Sequence, residues 1–456
     1  MRLKKINPLR WKWVLIVGVI AACWAVVSYM GPTPWAESEE TYQGLKLFSD
    51  VIELIEKNYV DPVDSKDLIE KAIHGMVNSL DPHSSFLPPE AFKELQVDTR
   101  GEFGGIGIVI SLEKGMLTVI SPIEGTPAHK AGIKAGDQII KINDESTKGM
   151  ALWEAVKRMR GPKKTTVRIT ILREGTGEPK EYTLIRDIIP IESVKHKVLT
   201  PGYGYVRITN FNENTTRDLT AALQELESGT DGFKGLVVDL RDNPGGLLNQ
   251  AVEVADVFLE EGVVVSIKGR DKKHNRTYNA NPDKVKREYP IVVLINEGSA
   301  SASEIVAGAL QDHKKAVIMG TTSFGKGSVQ TVEALRGGYG LKYTIARYYT
   351  PSGKSIQAQG IVPDIEVKPM ILAEKEKSKT ASGLFREKDL KNHLEAVPGK
   401  EEDELHSPED TGPESKRPDS RSRFGPIDVE MLKKDYQVRR ALETLISFEI
   451  FKNIRG

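Results

Sequence analysis

After residue 40, apolar positions recur at helical spacing. Leu45, Phe48, Ile52, Ile55 and Tyr59 fall on one face, and Leu68, Ile69, Ala72, Ile73, Met76 and Leu80 on another. Asp61-Pro62 separates the two predicted helices, because proline cannot continue one, and Asp64 or Ser65 caps the second. Asp81-Pro82 ends it, and Pro88-Pro89 opens a short third helix. From about 99 to 187 the pattern shortens. Residues 106–112, 116–120, 138–142 and 166–173 read as strands between glycine turns, with a short helix opening at Thr126-Pro127-Ala128 and another over 152–159. Beyond 188 the period switches again. The continuous apolar runs 235–240 and 291–295 suit strands covered on both faces, and each is followed by a helix, over 249–258 and 303–311. A further strand spans 316–320. This alternation predicts a mixed α/β core, with a small β-rich domain inserted before it and helical segments at both ends of the chain.

Two stretches fall outside the pattern. Residues 371–426 are rich in Lys, Glu, Asp, Pro and Ser, too polar to bury a core, and read as a charged flexible linker. After it Leu432, Val438, Ala441, Leu442, Leu445 and Phe448 form the apolar face of a last helix over 428–453, docked either on the body or on another subunit. At the other end Arg2, Lys4, Lys5, Arg10 and Lys12 precede the uncharged run 14–30, flanked by Trp11, Trp13 and Trp35. A basic stretch before an apolar one is an export signal, and its length also allows a retained membrane anchor. Ile20-Ala21-Ala22-Cys23 adds lipidation at Cys23 as a third outcome.

Composition removes several function classes. Lys+Arg and Asp+Glu both number 64, so nothing in the charge calls for nucleic acid. Cys23 is the single cysteine, which excludes an intramolecular disulfide, and no Cys/His spacing fits zinc. No cofactor or metal is expected.

The chemistry concentrates in Asn296-Glu297-Gly298-Ser299-Ala300-Ser301-Ala302-Ser303-Glu304 and Phe324-Gly325-Lys326-Gly327. The first puts hydroxyls where a strand hands over to a helix. The second puts a lysine 25 residues after Ser301, among uncharged neighbours. A serine needs a base to take its proton, and a lysine is that base only when burial keeps its amine neutral. Glu304, one turn after Ser301, is expected to face elsewhere. An oxyanion needs backbone N–H donors, which Ala302 and the turn Asp242-Asn243-Pro244-Gly245-Gly246 offer after strand ends. The residues alone leave the choice among the three serines open, since Ser299 and Ser303 also read as helix caps. Two rival readings share these residues. Gly320-x-x-x-x-Gly325-Lys326 fits most of a phosphate-binding loop, but Gly327 stands where a Ser or Thr would hold magnesium and the following residues read as extended. His313 could serve a Ser/His/Asp hydrolase, but it sits in a charged helix end.

Residues 99–187, with Gly104-Gly105-Ile106-Gly107 and Ala131-Gly132-Ile133-Lys134-Ala135-Gly136-Asp137, resemble a PDZ domain. In such domains the glycine-rich loop binds a peptide's C-terminal carboxylate and the peptide adds a strand to a sheet edge. Leu240-Arg241-Asp242-Asn243-Pro244-Gly245-Gly246, the Ser-Ala-Ser-Ala-Ser run and Phe324-Gly325-Lys326-Gly327-Ser328-Val329-Gln330 are similar to the motifs of carboxyl-terminal processing peptidases, the tail-specific serine proteases of the S41 family. That resemblance implies Ser301 as nucleophile, Lys326 as general base and Gln330 positioning the lysine. It implies an oxyanion hole from Ala302 and one of Gly245 and Gly246, and Gly104, Gly105, Ile106 and Gly107 as the peptide-binding loop. The implied organisation is a leader or anchor at 1–36, a helical segment at 37–98, a PDZ domain at 99–187, a peptidase core at 188–370, the linker at 371–426 and a helix at 427–456. The implied activity is cleavage of apolar C-terminal protein tails outside the cytoplasm, with the PDZ domain also gating the active site, an adaptor protein as partner and homo-oligomers formed through the terminal helices. A PDZ scaffold without catalysis is the alternative.

Overall fold

The computed structural model describes residues 39–113, 115–173, 178–229, 232–282, 285–369, 386–390, 392–394 and 429–455. The leader at 1–36 and most of the linker at 371–426 lie outside them. The chain divides into two compact units, 1–75 and 76–456. The first carries the helix Glu39–Asn58 and most of the helix Ser65–Asn78. Asp64 caps the second helix, its carboxylate accepting the Lys66 N–H at 2.9 Å. Among the described residues no helix is long and apolar enough to cross a membrane.

In the second unit the β-rich domain is a sheet in the order Ile108–Glu113, Met116–Pro122, Gln138–Ile142, Thr166–Leu172, Lys180–Ile185, with the short strand Glu145–Ser146 beside the third. Ile106, Leu117, Val119, Ile139, Ile142, Val167, Ile169 and Ile171 fill its core with Ala155 and Met159 of the helix Leu152–Met159. Ile108–Glu113 is left as an edge strand. The expected glycine loop is only partly a loop. Gly104 and Gly105 end the strand Glu102–Gly105, which pairs with Asp187–Pro190 outside the main sheet. Gly104 accepts the Gly161 N–H through its carbonyl, and a Cβ there would lie 2.1 Å from the Gly161 oxygen. Ile106 points into the core, and Gly107 turns at φ 76°, its carbonyl accepting the Thr126 hydroxyl. Close backbone approach, rather than an open loop, requires Gly104, while Gly105 packs against the Phe103 ring.

The α/β core is built on a sheet in the order Val194–Thr200, Tyr203–Ile208, Gly235–Asp239, Ile291–Ile295, Val317–Gly320, Ile365–Glu366. All neighbours are parallel except the first pair. Side chains alternate across a strand, and both faces are used. Leu236, Val238, Ile291, Val293 and Ile295 pack towards the helices Thr215–Glu227, Leu248–Phe258 and Ala302–Asp312. Val237, Val292 and Leu294 pack towards Val438, Ala441 and Leu445. The last three belong to the terminal helix, which docks on the body. It is two helices, Val429–Lys434 and Tyr436–Arg455, because the Asp435 carboxylate turns to accept the N–H groups of Gln437 and Val438 as a cap. An antiparallel sheet, Ser85–Leu87, Gly340–Tyr349, Val263–Gly269, Arg276–Asn279, with Ser328–Ala334 against the second strand, adjoins the core. Three residues of strand at Ser85–Leu87 carry no periodicity and do not show in the sequence pattern.

One stretch of the expected linker is not free chain. Residues 387–389 form a turn of 3₁₀ helix in which Glu387 is wholly buried.

Leu445→Ala removes a side chain that is 1 % exposed between the last helix and the sheet. We expect a loss of about 2–5 kcal/mol, read as a lower urea midpoint. Ile454→Ala, at a side chain 72 % exposed, should move the midpoint by less than about 0.5 kcal/mol.

Candidate active site

The parallel strand Ile291–Ile295 ends at a tight turn that delivers Ser301 to the start of the helix Ala302–Asp312. Ser301 has φ 56° and ψ −110°, a conformation that costs a non-glycine residue energy and is kept only where the surroundings impose it. Those surroundings are the flanking serines. Ser299, fully buried, donates its hydroxyl to the Leu240 carbonyl at 2.8 Å, and Ser303, also fully buried, donates to the Asn243 carbonyl at 2.9 Å. The Ala300 N–H bonds to the same Asn243 oxygen. Two of the three serines therefore fasten the turn to residues 240–243, and the middle one lines the neighbouring cleft.

The cleft has a volume of about 790 Å³ and collects Ser301, Ala302, Lys326, Gln330, Gly245 and Gly246. Among the described residues lining it there is no histidine. His313 caps the far end of the helix that Ser301 begins, about 18 Å away at 1.5 Å per residue, and its Nε2 bonds to the Val263 carbonyl. The phosphate-loop reading fails as well, because the strand Ser328–Ala334 follows Lys326 where a helix N-terminus would be needed.

Gly245 packs against the Ser301 turn, where a Cβ would lie 2.8 Å from both the Ala300 oxygen and the Ser301 Cβ. Its own N–H is taken by the Asn243 side chain at 2.9 Å. Gly246, at φ 146°, leaves no space for a Cβ, which would meet the Phe211 oxygen at 2.1 Å. Among the described residues no hydrogen bond uses the N–H of Gly246 or of Ala302, and both residues line the cleft. Gln330 donates its amide to Ser328 Oγ at 2.9 Å and Thr344 Oγ1 at 3.2 Å.

Glu304 does not face elsewhere. It is wholly buried, and its carboxylate joins the two motifs. One oxygen accepts the Ser323 hydroxyl at 2.6 Å and the Gly325 N–H at 2.7 Å, the other the N–H groups of Ser301 at 2.7 Å and Lys326 at 3.0 Å. Burial pushes this carboxyl up to about 7, although all four hydrogen bonds favour its charged form. The spacing Ser301-x-x-Glu304 is that of a capping box, in which a glutamate at the third helical position reaches back to the cap residue's N–H. That signal was in the sequence.

The surroundings of Lys326 are also charged, unlike its neighbours in sequence. Burial first, and then the Lys342 ammonium, push its amine down to about 8 against the opposing pull of Glu387, Glu304 and Asp81. Lys342 is itself lowered by burial. The buried Tyr348 hydroxyl donates to the Lys326 carbonyl and interacts with the Ser301 side chain. An amine of this kind is neutral in a substantial fraction of molecules at mildly alkaline pH, and so is able to accept a proton from a hydroxyl. Lys342, Tyr348, Asp81 and Glu387 have no motif to mark them in the sequence.

Residues 202–367 match the model of Peptidase family S41, residues 94–172 that of the PDZ domain, and residues 31–91 that of the activating protease CtpB N-terminal domain. The chain is 47 % identical over 371 residues to the carboxy-terminal-processing protease of Bartonella bacilliformis, covering 81 % of this chain and 84 % of that one. It is 38 % identical to the carboxyl-terminal-processing protease of Synechocystis, with 70 % and 76 % covered. Identity is also 38 % to the carboxy-terminal processing protease CtpA of Bacillus subtilis, with 69 % and 67 % covered. Among solved structures, a photosystem II D1 C-terminal processing protease is 33 % identical with a TM-score of 0.42, over 71 % of this chain and 92 % of that one. The chain belongs to the carboxy-terminal processing proteases, serine proteases with an S41 peptidase core and a PDZ domain.

Proposed function

We propose that this protease is an exported endopeptidase in which Ser301 is the nucleophile and Lys326 the general base. The observation that carries the reading is the division of labour among the serines. Ser299 and Ser303 spend their hydroxyls on the 240–243 backbone, whereas Ser301 meets Lys326 in one cleft. The neutral Lys326 amine takes the Ser301 hydroxyl proton as the oxygen attacks the scissile carbonyl. The resulting oxyanion is held by the N–H groups of Ala302 and Gly246. Lys326 then gives the proton to the leaving amine, and the acyl-enzyme is hydrolysed by a water that the same lysine activates. Gln330, bonded to Ser328 and Thr344, keeps the strand that follows Lys326 in register.

Substrate enters by its C-terminus. The edge strand Ile108–Glu113 lies beside the helix Leu152–Met159, so an extended tail can add to the sheet there, with the turn around Gly107 receiving its carboxylate. The cleft suits an apolar tail, being lined by Leu248, Tyr278, Ile305 and Val329. Phe103 and Arg160 of the β-rich domain line it too, which gives a bound tail a route to shift the population towards an active arrangement. Export rests on the basic and apolar leader, which also associates the protein with the membrane if it is retained. Self-assembly and adaptor binding are assigned to the terminal helices, where Phe448, Ile450, Phe451 and Ile454 are exposed.

Cleavage of an unfolded protein should be abolished in Ser301→Ala and Lys326→Ala and retained in His313→Ala. Normal cleavage by Lys326→Ala would sink the mechanism, and binding of C-terminal peptides without cleavage by the unmutated chain would leave a scaffold. Because the base works deprotonated, kcat/KM should rise about tenfold per pH unit below pH 8 and level off above it. Glu304→Gln replaces two acceptor oxygens with one acceptor and one donor facing N–H groups. Single-turnover cleavage should slow on the order of 10²-fold through misplacement of Ser301 and Lys326, with the substrate's affinity for the PDZ domain unchanged.

A further inference from the structure

The buried carboxylate of Glu387 lies in a stretch whose composition reads as linker, and beyond the residues 202–367 that match the S41 family. Two of its three contacts lead to the lysine loop, and the third goes to His83. The Glu387 N–H donates to the Phe324 carbonyl at 3.1 Å. Its carboxylate meets His83 Nε2 at 2.8 Å and 2.6 Å and accepts the Gln357 amide N–H at 2.9 Å. Gln357, wholly buried, uses its other amide atom to accept the Gly327 N–H at 2.9 Å. Thus both sides of Lys326 are held, Phe324 directly and Gly327 through Gln357. The turn presenting Glu387 is closed by Asp389, whose carboxylate accepts the Arg386 N–H at 2.9 Å. A buried carboxylate without partners would be very costly, so three converging contacts at this place are a built site and not an incidental crossing of the chain.

We propose that Glu387 is a positioning residue for catalysis, delivered by the segment after the peptidase core to fix the Phe324–Gly327 loop and the electrostatics of Lys326. The proposal rests on the reading of Lys326 as general base. Glu387 does not touch substrate; it acts through Gln357, His83 and the loop backbone. It also supplies one of the negative charges that hold the lysine's proton, the others being Glu304 and Asp81, against the opposing Lys342 ammonium. Tyr348 packs on the same loop through the Lys326 carbonyl, and His83 is the titratable group facing Glu387 itself. Removing the Glu387 charge therefore makes the lysine easier to deprotonate. A contact that served stability alone would leave the pH profile of the surviving enzyme unmoved.

The test uses the full chain and an internally quenched peptide with an apolar C-terminus. In Glu387→Gln the acid limb of kcat/KM should move to lower pH by about half a unit or more. In Glu387→Ala, kcat should fall about tenfold with KM within about twofold, and amide hydrogen exchange across 323–331 should quicken. Should the alanine variant not fold, the isosteric glutamine variant decides alone. A Glu387→Gln profile superposing on the unmutated one, with unchanged exchange, overturns the proposal. Lys326→Ala in the same assay separates the two readings: activity there overturns the dyad whatever Glu387 does, whereas an inactive Lys326→Ala beside an unaltered Glu387→Gln overturns only the role of Glu387.

Discussion

The arrangement of the site depends on one buried carboxylate. Glu304 accepts four hydrogen bonds, from the backbone of Ser301, from Gly325 and Lys326, and from the Ser323 hydroxyl. A carboxylate withdrawn from water loses several kcal/mol of solvation, and only short, well-aligned donors offset that. The requirement constrains both partners. The Ser301 turn must present its N–H inward, which contributes to its strained φ, and the 323–326 loop must fold back with successive N–H groups aimed at the helix start. Each half of the site is thus a condition for the other, and neither motif alone specifies its own geometry.

The same burial sets the chemistry. Desolvation strips Lys326 of the ordinary reason for an amine to stay protonated, and Lys342 adds repulsion. If these acted alone the amine would be a weak base, easily neutral but poor at taking a serine proton. Glu387, Glu304 and Asp81 hold it near 8, where it is deprotonated often enough and still basic enough to accept a proton. These three carboxylates come from separate regions of the chain, so the basicity of one side chain integrates the folding of the whole second unit.

How much of this the sequence exposes follows from the range of the interactions. The strands 235–239 and 291–295 were legible because burial on both faces leaves an uninterrupted apolar run. Ser301 and Lys326 were legible as short motifs. The three serines could not be told apart by residue type, since what distinguishes them is which carbonyl lies opposite, Leu240 or Asn243, and that is set by a strand some sixty residues earlier. Glu304 was within reach through its capping-box spacing, yet a helix turn of separation argued for the wrong face. Gly104 reads as a loop residue because glycine marks open turns and close backbone contacts alike. Lys342 and Glu387 carry no local signal: one is a single charge in a strand, the other a glutamate in a stretch of charges.

Glu387 shows what composition alone misses within 371–426. Low apolar content argues that a segment cannot form a core of its own, but it says nothing of completing a core formed elsewhere. The parallel sheet buries Tyr205, Val237, Val292 and Leu294 beneath Val438, Ala441 and Leu445, so the strands that carry the site have one face covered in part by residues after the linker. The connection is also polar. Arg241, next to the Gly245-Gly246 turn, pairs with Asp239 and with Asp435, and donates to Gln437 at the start of the last helix. Residues 202–367 therefore hold the groups proposed for catalysis without being sufficient for their environment. One face of the sheet, one clamp on the lysine loop and one anchor of the glycine turn all come from beyond them, and this makes the positions of Ser301 and Lys326 a property of the chain read to its last helix.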